Sequence, residues 1–270
     1  MSQDRLAVLV PYRDRERYLE VFAREVPAYM ERANGIHDYA IYVAEQESPD
    51  LFNVSLSRNV AACAALADGG FDTFVFHNVD IIPVAGIDYG PRPFNVAWFL
   101  DAGSCKVRVP DFVRANGYNP AFVGWGDEDT EFYHRLESVG SQVREWHRIP
   151  ESRDAVAINL DWPELPDEES LRQSQSYFGH QDAGPRFVTW NRVIHGRPHL
   201  PYDKSGFLQE AQRARNHALW GRVRQLPKQM KLAYLKANGL NRVRFEGARR
   251  ERRGSIHWLR YRTEDELDRA

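Results

Sequence analysis

Five apolar residues in a row, Leu6-Ala7-Val8-Leu9-Val10, set the first limit on what this chain can fold into. A strand with one wet face alternates, so an unbroken apolar run predicts a strand covered on both faces. A helical pattern follows over Arg15 to Ala33, where Leu19, Phe22, Val26 and Tyr29 recur at helical spacing. Pro27 lies inside it and predicts a kink or a break. Tyr39-Ala40-Ile41-Tyr42-Val43 reads as a second strand. Leu56, Val60, Cys63 and Ala67 trace a second helical stripe, with Asn53 or Ser55 as its cap. Phe71 to Phe76 is a third strand. Strand-helix-strand-helix-strand predicts an α/β fold with parallel strands and helices on the sheet faces. Ligands of such sheets bind beyond the carboxyl ends of the strands. Three polar groups fall there: Pro11-Tyr12-Arg13-Asp14-Arg15, Glu45-Gln46, and Asn78-Val79-Asp80.

Composition removes several classes. A length of 270 residues and 43% hydrophobic content suit one full-sized core. A net charge of -2 gives no global pull toward nucleic acid or anionic membrane. Two cysteines, Cys63 and Cys105, indicate neither a disulfide framework nor a cysteine metal site. The Leu6 to Val10 run is short and lacks a basic flank, so it reads as a strand and not a signal peptide. No run approaches the roughly 18 apolar residues of a membrane span. The expectation is a cytoplasmic protein without a nucleic-acid partner.

Residues 150–190 form a polar stretch broken by Pro150, Pro163 and Pro166, with a short helix expected near Glu168 to Ser176. Residues 207–237 read as helical, interrupted at Pro227. Six arginines lie between Arg242 and Arg253, and are most simply a solvated strand face. No internal repeat or low-complexity tract is present.

Two segments carry candidate chemistry. Asp80 is read as ending a buried strand, where a rigid carboxylate suits Mg²⁺ or Mn²⁺ bound to a diphosphate. A plain turn aspartate is the simpler alternative. In Gly124-Trp125-Gly126-Asp127-Glu128-Asp129, a tryptophan between glycines suits an exposed ring that stacks on a sugar. Three acids then open a helix with the stripe Phe132, Leu136 and Val139. Capping and the helix dipole explain Asp127. Glu128 and Asp129 remain as candidates for general-base work. Arg13 and Arg15 can fork onto phosphate, or simply start a solvated helix. His195 and His199, with His147 and His180, are possible metal ligands that are more often packed or surface residues.

In order and spacing, these segments resemble the inverting β-1,4-galactosyltransferase family, most closely its xylosylprotein branch. Leu9-Val10-Pro11-Tyr12-Arg13-Asp14-Arg15 is similar to V-P-[FY]-R-x-R, and Ile41 to Gln46 to I-Y-V-x-x-Q. Phe52-Asn53 with Asn59-Val60 is similar to F-N-x(5)-N-V, and Asn78-Val79-Asp80 stands at D-V-D. Asp88-Tyr89-Gly90 recurs, Gly124 to Asp129 stands at G-W-G-x-E-D, and Gly239-Leu240-Asn241 with Val243 at G-L-N-x-V.

The resemblance implies a GT-A fold, with a Rossmann-like nucleotide-binding half, a mixed central sheet and an acceptor-binding half. It implies one catalytic domain over 1–270. Residues 1–100 would bind the nucleotide sugar, 101–149 and 191–270 would form the acceptor and catalytic half, and 150–190 would be an insertion. It implies a UDP-sugar donor, a glycan or glycoside acceptor, and Mn²⁺ or Mg²⁺. Asp129 would be the general base, and Trp125, Gly126, Glu128 and Asp129 would hold the acceptor. Pro11, Tyr12, Arg13, Arg15, Asn78, Val79 and Asp80 would hold the donor, with metal on Asp80 and, if 150–190 is an insertion, on His195; otherwise His147 or His180 would substitute, or the site would lack a histidine.

Three departures stand out. Asn78 replaces the first acid of D-V-D. Val54 stands where the family has arginine after F-N, so one donor contact is lost or moved. Leu100 falls at the donor-gating tyrosine, beside Ala102-Gly103, and leaves room for a 2-acetamido group. The donor expectation is therefore UDP-Gal or UDP-GalNAc. A metal-dependent nucleotide-sugar hydrolase and a degenerate UDP-sugar-binding module are the alternatives.

Overall fold

A computed structural model describes residues 5–85, 87–90, 96–101, 104–124, 126–145, 156–159, 187–188, 210–245 and 247–263. The three expected strands are present as β1 (Leu6–Tyr12), β2 (Tyr39–Gln46) and β3 (Thr73–Phe76). β1 pairs in parallel with both of the others. Every β1 residue is buried, and the two faces serve different cores. Leu6, Val8, Val10 and Tyr12 meet Phe22, Val26, Tyr29 and Met30 of helix α1 (Glu16–Asn34). Ala7 and Leu9 meet Leu56, Val60 and Ala64 of helix α2 (Val54–Asp68). This two-sided burial is what the unbroken apolar run requires. Cutting Leu9 to alanine would cost about 2–5 kcal/mol at such a site.

Two helix expectations are refined. Of the kink or break expected at Pro27, the break is absent: α1 runs on and stops at Gly35, whose left-handed φ of 64° lets its N–H and that of Ile36 bond back to Glu31 and Met30. The buried face Phe22, Val26, Tyr29 and Met30 holds both halves of α1 on the sheet, outweighing the backbone bond lost at proline. In α2 the buried set is wider than the stripe. Residues 55–62 are all buried, while Ala67 is exposed. Of the two proposed caps, Asn53 takes the role, accepting from the Leu56 N–H at 2.9 Å.

Beyond β3 the sheet turns mixed. Its order is β10 (Arg249–Arg253), β11 (Ile256–Tyr261), β2, β1, β3, β6 (Ser104–Arg108), β5 (Val96–Asp101) and β7 (Gln142–Glu145). β4 (Ile81–Ala85) belongs instead to a small second sheet with β8 (Val156–Asn159) and β9 (Phe187–Val188). β5 (Val96–Asp101) and β6 (Ser104–Arg108) are antiparallel, and β6 lies antiparallel to β3. β7 (Gln142–Glu145) runs parallel to β5. On the other side β11 (Ile256–Tyr261) is a parallel neighbour of β2, and β10 (Arg249–Arg253) closes that edge. The arginine-rich tail is thus a strand with all five β10 residues exposed, as its composition indicates. β11, with Ile256, Trp258, Leu259 and Tyr261 buried, was not anticipated.

The remaining helices are α3 (Val109–Arg114), α4 (Glu128–Ser138), α5 (Glu210–Gln225) and α6 (Lys228–Ala237). Pro227 separates α5 from α6, standing just before the first α6 residue. Arg135 of α4, fully buried, forks onto Glu131 at 2.6 and 2.7 Å and donates to the Leu235 carbonyl at 2.8 Å. It also reaches the Asn238 carbonyl. The next residue, Gly239, is glycine for want of room: a Cβ there would lie 2.0 Å from the Asn116 carbonyl oxygen. Among the described residues no helix is long and apolar enough to cross a membrane. The stretch 150–190, apart from β8 and β9, lies outside the described residues.

Candidate active site

Of the polar groups at the carboxyl ends of the strands, those after β1 and β3 meet through Arg15 and Asp80, and Asn78 is joined to the first turn of α4 through Arg58, whereas Glu45 of β2 turns to Trp258 and Arg260 and Gln46 holds the 50–53 backbone. The route runs through the segment before Gly124, which is fastened to α2 by two asparagines. Asn53 donates its side-chain amide to the Pro120 carbonyl at 2.9 Å. Asn59 exchanges two bonds with the backbone of Tyr118, at 2.8 and 3.0 Å. The Gly124 N–H adds a bond to the Phe52 carbonyl at 2.9 Å. The F-N-x(5)-N-V pattern is therefore a set of staples, fixing the base of the acidic segment to the start of α2.

Past those staples the chain turns sharply. Gly124 and Gly126 have φ of 74° and 111°, and Asp127 stands at 65°. Positive φ is cheap for glycine and uncommon elsewhere, so the two glycines are backbone requirements. The expected capping by Asp127 is not seen: it sits at the N-cap position without a side-chain cap bond. Its left-handed backbone turns the carboxylate away, to 3.2 Å from His217 Nδ1 of α5. Glu128 folds back instead, accepting from the Gly126 N–H at 3.0 Å. Glu128 and Asp129 are both 8% exposed.

Arg58 joins the two acidic segments. It is 1% exposed and projects from α2. Its Nη1 donates to Asp129 Oδ1 at 2.6 Å, and its Nη2 to Asn78 Oδ1 at 3.4 Å. The guanidinium carbon lies 4.7 Å from the centre of the Tyr118 ring. Asp129 beside it pushes its pKa further up, against the opposing effect of burial.

A second arginine-carboxylate pair lies nearby. Arg15 Nη1 is 3.3 Å from Asp80 Oδ2, with side-chain exposures of 12% and 13%. The Arg15 N–H donates to the Tyr12 hydroxyl at 3.2 Å, and the Tyr12 ring packs edge-on against Trp258. Pro11 is paired with Ala44 inside the sheet, Val79 is a core residue, and Arg13 donates to the Asp50 carbonyl.

Behind Asn78 stands His77, fully buried. Its Nδ1 is 2.9 Å from the Asn78 carbonyl, which can only accept, so Nδ1 carries the hydrogen. Nε2 then accepts from the Tyr89 hydroxyl at 2.7 Å. Burial pushes the His77 pKa down to about 4, and that of Tyr89 well up, so both stay neutral.

His77 and Arg58 are the two functional candidates that sequence reading missed. Arg58 had a signal: it is the one charged residue in Val54 to Ala67. Trp125, His147, His180, His195 and His199 lie outside the described residues. Leu100 is placed only by its backbone, within β5.

Among the described residues no three His, Cys, Asp or Glu side chains cluster to cage a metal. Asp80 alone fits a different mode, in which a hard cation is held by one or two carboxylates and by substrate phosphates.

Comparison with known proteins follows the same two halves. Residues 1–89 match the N-terminal region of glycosyl transferase group 7, and residues 100–155 match a profile described as the N-terminal domain of galactosyltransferase. Human β-1,4-galactosyltransferase 5 is 31% identical over 158 residues, which cover 53% of this chain and 40% of the human protein. Mouse β-1,4-galactosyltransferase 6 is 30% identical over 154 residues, covering 52% and 40%. The chain thus matches about two fifths of the length of these relatives. The catalytic domain of Drosophila β-1,4-galactosyltransferase 7, solved with xylobiose, superposes with a TM-score of 0.60 at 20% identity, over 99% of this chain and 95% of that one. A mutant of it, solved with manganese, UDP-Gal and xylobiose, gives 0.58 at 19% identity, with the same coverage. The fold is GT-A, and the chain belongs to the β-1,4-galactosyltransferase family.

Proposed function

We propose that this protein is an inverting glycosyltransferase that moves a hexose or N-acetylhexosamine from a UDP-sugar to a sugar hydroxyl. UDP-Gal and UDP-GalNAc are the favoured donors. The observation that carries the reading is the single buried guanidinium holding both Asp129 and Asn78, which brings the two motifs into one centre. Family membership and the UDP-Gal and manganese named for the Drosophila relative support it.

In this reading the acceptor oxygen attacks the donor anomeric carbon, and the bond from that carbon to the diphosphate oxygen breaks. The acceptor proton passes to Asp129, the general base. Glu128 and Gly126 orient the acceptor, with Trp125 stacking on the sugars. Arg13 and Arg15 take the phosphates, where forked donors suit the charge. Pro11, Tyr12, Asn78, Val79 and Leu100 shape the donor side. Asp80 would hold Mn²⁺ or Mg²⁺, with His195, and the cation would neutralise the departing diphosphate. Arg15 and Asp80 must release each other for this, so nucleotide and metal binding are coupled.

The test is a donor screen with Mn²⁺, reading UDP release from UDP-Gal, UDP-GalNAc, UDP-GlcNAc, UDP-Glc and UDP-Xyl with and without xylobiose. Asp129→Asn should keep UDP binding and lose transfer by at least about 10²-fold. Transfer by Asp129→Asn at the unmodified rate would refute the base assignment. UDP release from the donors that is indifferent to added xylobiose would point to a hydrolase.

A further inference from the structure

We propose that Arg58 is a positioning residue for Asp129, and that the neutral amide of Asn78 keeps Arg58 committed to that task. The inference rests on Asp129 being the base.

The first ground is cost. A guanidinium at 1% exposure inside an alanine-rich helix gives up its hydration. Well-packed apolar side chains of similar volume usually serve stability as well as a buried ion pair does, or better. The residues about one turn from Arg58 on α2, Val54, Ser55, Ala61 and Ala62, are small or apolar, and the apolar cluster on this side of the sheet already contains Leu56, Val60, Phe112 and Phe132. Packing alone does not call for a charge there.

The second ground is geometry. Asp129 stands in the first turn of α4, behind a turn in which Gly124, Gly126 and Asp127 all have positive φ. Its backbone is set by that turn, but its carboxylate needs a separate hold. Arg58 supplies it from a different element, at 2.6 Å. The planar fork leaves little rotational choice once both ends are engaged. Tyr118 flanks the guanidinium, and Tyr118 is itself stapled to α2 by Asn59. The orientation of Asp129 is thus referred to the rigid helix and not to the glycine turn.

The third ground is the asymmetry of the fork. The bond to Asn78 is long, 3.4 Å, against 2.6 Å to Asp129. An amide oxygen competes weakly for a guanidinium, and a carboxylate competes well. An aspartate at 78 would set two acids against each other for one cation and draw Arg58 from Asp129. The missing first acid of the β3 loop is therefore matched to the arginine on α2.

The test uses the full chain with Mn²⁺, xylobiose and the best donor of the screen. Arg58→Met should lower kcat by roughly 10²-fold, the loss that follows a misplacement of about 1 Å. UDP affinity and donor KM should stay within about threefold, while Tm should fall, because removing one partner leaves the Asp129 carboxylate buried without its counter-charge. Arg58→Lys should recover part of kcat, because it restores charge but not the fork. Asn78→Asp should lower kcat about tenfold without weakening UDP–Mn²⁺ binding, and should add little to Arg58→Met. Arg58→Met at the unmodified kcat, beside an inactive Asp129→Asn, would overturn the inference and leave the function standing. So would a loss of rate that merely follows the folded fraction. A fully active Asp129→Asn would instead overturn the function.

Discussion

Replacing His77 by glutamine should make the protein less stable at neutral pH and yet less sensitive to acid. His77 is fully buried, donates from Nδ1 to the Asn78 carbonyl and accepts at Nε2 from Tyr89. Two neutral hydrogen bonds are worth about 1 kcal/mol each, so the variant starts about 1–2 kcal/mol behind at pH 7.5. Burial lowers the His77 pKa from its ordinary 6.5 to about 4 in the fold. A depressed folded pKa means that the unfolded chain takes up the proton first as pH falls. The stability is fully present above about 6.5 and is lost progressively toward 4. That interval of pKa corresponds to about 3 kcal/mol, nearly all of it gone by pH 4. Glutamine does not titrate, so the gap between the two proteins should close near pH 5 and reverse by pH 4.5. Urea unfolding in EDTA at pH 7.5, 6.0 and 4.5 measures it, provided the m-values agree. A gap that stays constant from pH 7.5 to 4.5 would refute the reasoning, since it would mean His77 titrates alike in both states.

Two further outcomes follow from pairs already described. Arg15→Ala should tighten Mn²⁺ binding measured without nucleotide, by roughly fivefold, since a partly buried pair is worth about 1 kcal/mol. It should weaken UDP binding in the presence of Mn²⁺; calorimetric titration reads both, and no change in either would separate Arg15 from the diphosphate. Gly239→Ala should destabilise the fold by about 1–3 kcal/mol through overpacking against Asn116 and Arg135, read by urea unfolding.

The first three strands and two helices were legible because their signals are local. The run from Leu6 to Val10 needs cover on both faces wherever it sits, and Asn53 caps a helix that begins beside it. The acid-opened helix with Phe132 and Leu136 is local in the same sense. Arg58 was missed because its partner, Asp129, lies 71 positions away, and periodicity sees only the helix it stands on. His77 was hidden in an apolar strand end, and its role depends on Tyr89, brought close by the β4 excursion. β11 was missed because its buried residues follow an arginine cluster, and its neighbour β2 lies far back in sequence. Asp127 looked like a cap because acids at helix starts usually are. Only the φ of 65° shows that its carboxylate cannot turn inward.

The arginine strand β10 has a consequence for the molecule among its neighbours. An open sheet edge is a template on which another chain can add a strand. Here the outermost strand is Arg-Arg-Glu-Arg-Arg with every residue exposed. Arg250 leans on Asp68 at 2.9 Å and Arg253 lies 4.0 Å over the Trp258 ring. A second copy arriving edge to edge would bring like charges into register, so the edge repels its own kind. Such protection is electrostatic, and it weakens as salt shortens the reach of the charges. Association of this protein, if it begins at β10, should therefore grow with ionic strength.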